Sequence, residues 1–404
     1  MKSVGLVVEY NPFHNGHFHH VEQARKQTNA DVTIAVMSGN FLQRGEPAIV
    51  SKWARSKMAL LAGLDIVVEL PYAFASQHAE KFAFGSISIL SALKCNFFCF
   101  GSESGNIDEF NKILHIMQKH RLTYEASVKH LMSTGISYPT ALSQSFSTLN
   151  IEEGNIDLTK PNNILGFHYM QANRQLGTPM KAYTIKRKNA NYHDEEFSSS
   201  TIASATAIRK ATFEGNQSLG EIKQFVPEST FKVFKEYMKE YHSFHHWELY
   251  WPFLQYRILT IDKNDLAEIY EVEEGIEHRL KRLAKDAISF QDFMSKVKTK
   301  RYTWTRIQRM CVHILTNTKK EEMFLHHEAV KYIRLLGMTQ KGREYLNNIK
   351  KDLEIPLLSK LSSVSDDLVH LDIRASNVFA QGLKEPNRHK LYKMEYGQSP
   401  IYIE

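Results

Sequence analysis

The alternation of short apolar runs with helical stretches in the first hundred residues confines this chain to a narrow set of folds. Residues 4–9, 32–38, 65–70 and 95–100 are nearly continuous apolar runs, the pattern of strands buried on both faces. Between them, residues 16–26, 51–63 and 78–94 carry apolar positions at helical spacing. Ser51 is placed to cap the second helix and Gly63 to stop it; Pro71 and Gly101 end the third and fourth strands. This alternation predicts an α/β, Rossmann-like domain: a parallel sheet with helices on both faces. Right-handed crossovers then put every strand's carboxyl end on one edge, where ligands bind.

Beyond it, residues 107–173 read as mainly helical, 180–186 as one more strand, 188–200 as a polar loop, and helix resumes at Ser204. After about residue 226 no strand alternation stands out. An all-helical C-terminal domain is therefore expected, with domains at 1–225 and 226–404; 404 residues are many for one core. The three cysteines, Cys95, Cys99 and Cys311, have neither a pairing framework nor CxxC spacing, so burial in a reducing compartment is expected. Residues 1–10 are too short in apolar length for a secretory leader, and no run is long enough to span a bilayer. A cytoplasmic protein without a membrane partner is the expectation.

Tyr10-Asn11-Pro12-Phe13-His14-Asn15-Gly16-His17 stands between the first strand and first helix. Gly16 allows close approach of a nucleotide, and a helix's first turn offers N–H groups and the positive dipole end to phosphate. His14 and His17, three apart, share a helical face. From there they can hydrogen-bond an α-phosphate and a departing pyrophosphate. A zinc reading of the pair lacks a third ligand at metal spacing, and His242, His245 and His246 likewise lack a ligand frame. No metal held by protein side chains is expected. Later in the domain, Ser204-Ala205-Thr206-Ala207-Ile208-Arg209 suits a phosphate-binding loop, with Ser204 and Thr206 on phosphate oxygens and Arg209 neutralising pyrophosphate. An N-cap followed by a solvated arginine fits it too.

Tyr-x-Pro-x-His-x-Gly-His resembles the first motif of the HxGH nucleotidyltransferase superfamily, and residues 204–209 resemble its second. Val7-Val8-Glu9 before that motif, with residues 37–47, 68–71, 100–103 and 298–303, resembles more narrowly the bacterial tRNA(Met) cytidine acetate ligase family. That resemblance implies an ATP-dependent ligase joining acetate to N4 of the wobble cytidine of elongator tRNA(Met). An acetyl-adenylate is the implied intermediate and AMP and pyrophosphate the by-products. Its partners would be this tRNA, ATP with Mg2+, and acetate, with no protein partner implied. It also implies ATP binding by Val7, Val8, Glu9, Tyr10, Asn11, Pro12, Phe13, His14, Asn15, Gly16, His17, Phe18, His19 and His20, and by Gly101, Asn162 and Arg187. His14, His17 and Arg209 are the candidate catalytic residues, with Lys186 and Arg187 as supporting cations. Arg44 and Glu46 are candidates to meet acetate or the incoming base, or simply to shape their loop.

Residues 276–309 hold ten bases against three acids, a surplus of seven that equals the whole chain's formal +7. Lys296, Lys298, Lys300, Arg301, Tyr302 and Arg306 are the candidate tRNA contacts, with Tyr302 and Trp304 available to stack on bases. The acidic stretch 268–277 reads as a solvated flank. Two other classes of function compete: a small-molecule adenylyltransferase and a non-catalytic tRNA-binding relative. The concentrated charge argues against the first, the intact motifs against the second.

Overall fold

Strand β1 (Ser3–Val8) sends Val4, Leu6 and Val8 into one core, while β2 (Val32–Ser38) divides its residues: Ala35 and Met37 join that core, Val32, Ile34 and Val36 a second one on the opposite face. A strand buried on both sides has no polar face to show, which is why these runs are continuous rather than alternating. The computed structural model describes residues 1–136, 138–148, 156–177, 180–187, 203–214, 219–361, 364 and 366–404. The expected polar loop at 188–200 lies outside the described residues.

Helices α1 (Asn15–Thr28) and α2 (Lys52–Leu61) cover the first face through Val21, Ala24, Met58, Ala59 and Leu60. Ser51 caps α2, its hydroxyl accepting from Ala54 N at 3.3 Å, and Gly63 follows with φ +97°. After β3 (Ile66–Leu70) and the short α3 (Tyr72–Ala75), α4 (Ala79–Ala92) covers the second face. Strand β4 (Phe97–Ser102) runs through Gly101 rather than stopping before it. Helices α5 (Ile107–Lys119), α6 (Arg121–Ser133), α7 (Tyr138–Ser147) and α8 (Pro161–Gln175) lead to β5 (Lys181–Lys186) and α9 (Ala205–Glu214). Gly166 lets α8 press on the sheet: a Cβ there would lie 2.3 Å from Phe100 Cε2.

The five strands run parallel in the order β5-β4-β1-β2-β3. The chain winds outward from β1 through β2 and β3, then restarts on its other side with β4 and β5. The reversal between β1 and β4 opens a crevice at their carboxyl ends.

The C-terminal part is helical, as expected: α10 (Glu228–Tyr241), α11 (Trp247–Thr260), α12 (Lys263–Ala267), α13 (Ile276–Asp286), α14 (Phe290–Val297), α15 (Trp304–Leu315) and α16 (Lys320–His326) follow in sequence. It is not wholly helical. β6 (Ile333–Thr339) pairs antiparallel with β3 and extends the same sheet; after α17 (Gln340–Ile349), β7 (Leu357–Leu358) pairs with β6, as does β8 (Ile401–Ile403) after α18 (Asp366–Ala380) and α19 (Asn387–Gly397). The expectation of no strand after residue 226 is corrected here. Arg334 and Gly337 disguise β6 by interrupting an otherwise apolar run. Arg334 is buried because it closes an ionic cluster: it meets Glu69 of β3 at 3.2 Å and Glu395 of α19, while Lys52 of α2 meets the same two carboxylates at 2.8 and 2.9 Å. Four charges out of water are tolerable because each faces an opposite one.

Candidate active site

A cavity of about 240 Å³ opens at the crevice between β1 and β4. Strand β1 delivers Val7, Val8, Glu9, Tyr10 and Asn11 to its wall; β4 delivers Phe100 and Gly101, and β5 Ile185 and Lys186, with Arg187 next. His14, Gly16, His17, His19 and His20 come from the turn and α1, Arg209 from α9, Gln43, Arg44 and Glu46 from the loop after β2, and Asn162 from α8. Most of the nucleotide-site residues expected from the sequence therefore converge.

The turn is built by its own side chains. Tyr10 takes φ +49°, a costly conformation for a bulky residue, and the Asn11–Pro12 peptide is cis. His14 is the N-cap of α1: its Nδ1 accepts from Gly16 N at 3.0 Å. His17 Nδ1 in turn accepts from His14 N at 3.3 Å, and the two rings stack with centroids 3.8 Å apart. A neutral ring that accepts at Nδ1 carries its proton on Nε2. The His14 ring therefore holds an Nε2–H donor, while a ring N–H of His17 faces the Pro12 carbonyl. Burial lowers the His14 pKa to about 3, helped by Arg187 and Arg209. Burial likewise lowers His17, with His14 and Arg187 adding to it. In the free cavity the pair are hydrogen-bond donors, not cations.

This arrangement corrects one expectation. Three of the first four amides of α1 are already engaged: Gly16 N donates to His14 Nδ1, and His17 N and Phe18 N to the His14 carbonyl at 2.9 and 3.0 Å. Instead, Tyr10 Oη, Asn11 Nδ2 and His20 Nε2 are buried polar atoms of lining residues with no hydrogen-bond partner among the described residues. Such orphans are rare in a native fold and fit groups that a ligand satisfies.

Cations line the cavity as well. Arg209 Nη1 donates to the Asn11 carbonyl at 3.0 Å, and Nη2 meets Glu46 at 3.1 Å. Arg187 donates to Asn162 Oδ1 at 3.4 Å, and Asn162 Nδ2 donates to Glu103 Oε1 at 2.7 Å. Asn162 thus has both ends of its amide engaged, and aims Arg187. Gly101 lines the cavity and packing does not require it: among the described residues an added Cβ would meet only Arg187 Cγ at 3.6 Å and Ile185 O at 3.9 Å, ordinary contacts.

The cavity also carries acid. Glu9 Oε1 accepts from Gln43 N at 2.7 Å and from Ser38 Oγ at 3.5 Å. Burial raises the Glu9 carboxyl pKa, opposed by the Gln43 N–H and reinforced by Glu46. Phe82, Leu165 and Tyr169 line the apolar wall.

Several expected residues stand outside the lining. Pro12 and Phe13 are buried under the turn, Phe18 is exposed, and Asn15 Nδ2 donates to the Gln224 carbonyl at 2.9 Å. Ser204 Oγ accepts from Ala207 N at 3.0 Å, so it caps α9 rather than facing the cavity; Thr206 Oγ1 lies 3.5 Å from Arg209. Sequence reasoning missed Arg55. Fully buried, it donates to the Glu9 carbonyl at 2.7 Å, the Ser38 carbonyl at 3.0 Å and the Gly39 carbonyl, tying the ends of β1 and β2 together. Nothing in its local sequence signals this, because the partners are backbone carbonyls.

The basic segment is less free than its charge suggests. The acidic stretch is not a solvated flank: Arg309 meets Glu271 at 2.8 Å, Arg306 meets Glu273 at 3.2 Å, and Arg301 meets Glu274. Over residues 268–309 the ten bases face seven acids, leaving +3. Lys296 binds Asp292 at 2.7 Å, and Tyr302 is buried beneath Arg306 with its hydroxyl on the Glu273 carbonyl, so it is not open for stacking. Among the described residues, Lys298 and Lys300 are exposed without an ion pair. The segment does reach the cavity loop: α15 packs so close to Gly45 that a Cβ there would lie 2.4 Å from Arg309 N.

The HIGH Nucleotidyl Transferase family profile matches residues 1–394. The chain is similar to the tRNA(Met) cytidine acetate ligase of Halalkalibacterium halodurans, with 49% identity over 100% of this chain and 98% of the relative. The protein of the same name from Bacillus licheniformis is 51% identical over 99% of this chain and 97% of the relative. Among solved structures, Thermotoga maritima TmcAL bound with alpha-thio ATP superposes with a TM-score of 0.90 at 32% identity, covering 100% of both chains.

Proposed function

The chain belongs to the tRNA(Met) cytidine acetate ligase family, and from that premise we propose that it ligates acetate to N4 of the wobble cytidine of elongator tRNA(Met), consuming ATP through an acetyl-adenylate. The observation that carries this reading is the cavity at the β1/β4 crevice, where stacked histidines, orphaned donors and arginines converge.

In the first step an acetate oxygen attacks the α-phosphorus, forming an O–P bond as the bond to the β-phosphate oxygen breaks. Acetate is a weak nucleophile, so the barrier falls through positioning and charge stabilisation. His14 donates its Nε2–H, and His17 the ring N–H that faces the Pro12 carbonyl in the free cavity, to oxygens that gain charge; Arg187, Arg209 and Lys186 offset the charge of the departing pyrophosphate. Asn11 Nδ2 and Tyr10 Oη supply further donors. Mg2+ is expected to enter on the triphosphate. No trio of metal-binding side chains occurs among the described residues, and nucleotide-bound Mg2+ keeps phosphate and water ligands.

In the second step the cytidine amine attacks the acetyl carbonyl. The tRNA is proposed to approach along α15 and the Lys298–Lys300 turn toward the Arg44–Glu46 loop, which α15 buttresses. A wobble base lies in a loop, so little pairing must be broken to bring it in. Of the described helices none is long and apolar enough to cross a membrane; the cytoplasm, where tRNA is modified, is the proposed location.

The test is mass analysis of nucleosides from tRNA incubated with the protein, ATP and labelled acetate. Labelled N4-acetylcytidine with stoichiometric AMP is expected. Release of ADP, or absence of label on cytidine, refutes the reading.

A further inference from the structure

Two carboxyls line the cavity, and one of them, Glu9, has no part in the adenylation chemistry above. Glu9 lies at the carboxyl end of β1, and Arg55 fixes its backbone. Its Oε1 is anchored by Gln43 N and Ser38 Oγ, whereas no described residue hydrogen-bonds Oε2, and Glu9 lines the cavity. A carboxylate aimed at a triphosphate would repel it. Its charged neighbours are Glu46, Arg44 and Arg55, while Arg187 stands with the histidines. Arg44 and Glu46 both belong to the loop after β2, so Glu9 faces that loop.

We propose that Glu9 is the general base of acetyl transfer: its carboxylate accepts a hydrogen bond from the cytosine N4 amine and takes the proton as the nitrogen attacks. This rests on the ligase reading above. Carboxylate to cytosine N4 is also the pairing by which proteins read cytosine, so the same contact selects the base. The N–C bond forms, the bond from the acetyl carbon to the AMP phosphate oxygen breaks with its electron pair leaving on AMP, and Glu9 ends as a carboxylic acid that returns its proton to water. Three other lining groups serve this step poorly. Glu46 is held by Arg209 at 3.1 Å, and burial lowers His14 to about 3 and His20 to about 4. Burial makes Glu9, in contrast, a stronger base than an ordinary carboxylate.

The experiment separates the two half-reactions in Glu9→Gln. Acetate-dependent ATP–pyrophosphate exchange reads adenylate formation; single-turnover acetylation of tRNA from preformed acetyl-adenylate reads transfer. Transfer is expected to fall about 100-fold or more, and exchange by less than about 10-fold. Wild-type transfer should slow as pH falls through the raised carboxyl pKa, while the variant's profile stays flat. Equal losses in both assays, the pattern of a phosphate- or Mg2+-holding carboxyl, or unimpaired transfer, would overturn the proposal. If glutamine is not tolerated, Glu9→Asp gives the same comparison, with transfer again the more impaired step. Wild-type protein without acetate-dependent exchange would instead refute the ligase reading itself.

Discussion

Replacing His17 by alanine removes three things of unequal worth. The first is a donor to charge developing on phosphate oxygens; deleting one such donor typically costs about 10²–10³ in rate, or roughly 3–4 kcal/mol. The second is the acceptor for His14 N–H at 3.3 Å, half of the reciprocal cap that opens α1. A lost cap costs about 1 kcal/mol of stability. The third is the stacking partner of His14, 3.8 Å between centroids. Without it His14 is free to turn, so the double variant His14→Ala/His17→Ala should lose much less than the sum of the two single losses. Acetate-dependent ATP–pyrophosphate exchange should therefore drop by at least about 100-fold, while denaturant unfolding shows only about 1 kcal/mol of destabilisation. His17→Asn, which offers an acceptor and a donor in similar places, should retain part of the activity. Exchange at the wild-type rate in His17→Ala, or a rate loss fully matched by an unfolded fraction, would refute this account of the turn.

Gly101→Val should leave stability nearly unchanged, because among the described residues only Arg187 Cγ and Ile185 O lie within 4 Å of a Cβ there, yet weaken ATP binding at least about 10-fold; calorimetric titration checks this, and an unchanged dissociation constant would move the nucleotide elsewhere. Lys298→Glu with Lys300→Glu should weaken tRNA binding and lower the salt dependence by roughly one unit of log–log slope per lost phosphate contact. Reversing Arg301 and Arg306, which are tied to Glu274 and Glu273, should destabilise the fold as well, visible in denaturation curves. Arg334→Leu should cost about 3–5 kcal/mol of stability, because Glu69 and Glu395 are left with Lys52 alone; a denaturation midpoint equal to wild type would show the cluster to be dispensable.

Much of the fold was legible because each parallel strand declares itself locally, through an apolar run between caps such as Ser51 and Gly63. β6 was not, because Arg334 is explained only by Glu69 and Glu395, far away in sequence. The same distinction holds at the site. His14, Gly16 and His17 stand in one short motif and were found; Glu103 behind Asn162, Arg55 behind Glu9, and the walls Phe82, Leu165 and Tyr169 come together only in space. Charge concentration misled for a related reason. The stretch 276–309 begins just past the acids at 271, 273 and 274 that fold back onto its arginines.

That β6 lies so far along the chain has a consequence for biosynthesis. Until Ile333–Thr339 leaves the ribosome, β3 stands as an open edge with Glu69 facing Lys52 and no arginine. An unpaired edge of Val67, Val68 and Leu70 invites pairing with a neighbouring nascent chain. Premature termination before this strand would thus release a product prone to aggregate and be degraded, even though every residue of the HxGH turn had already been made.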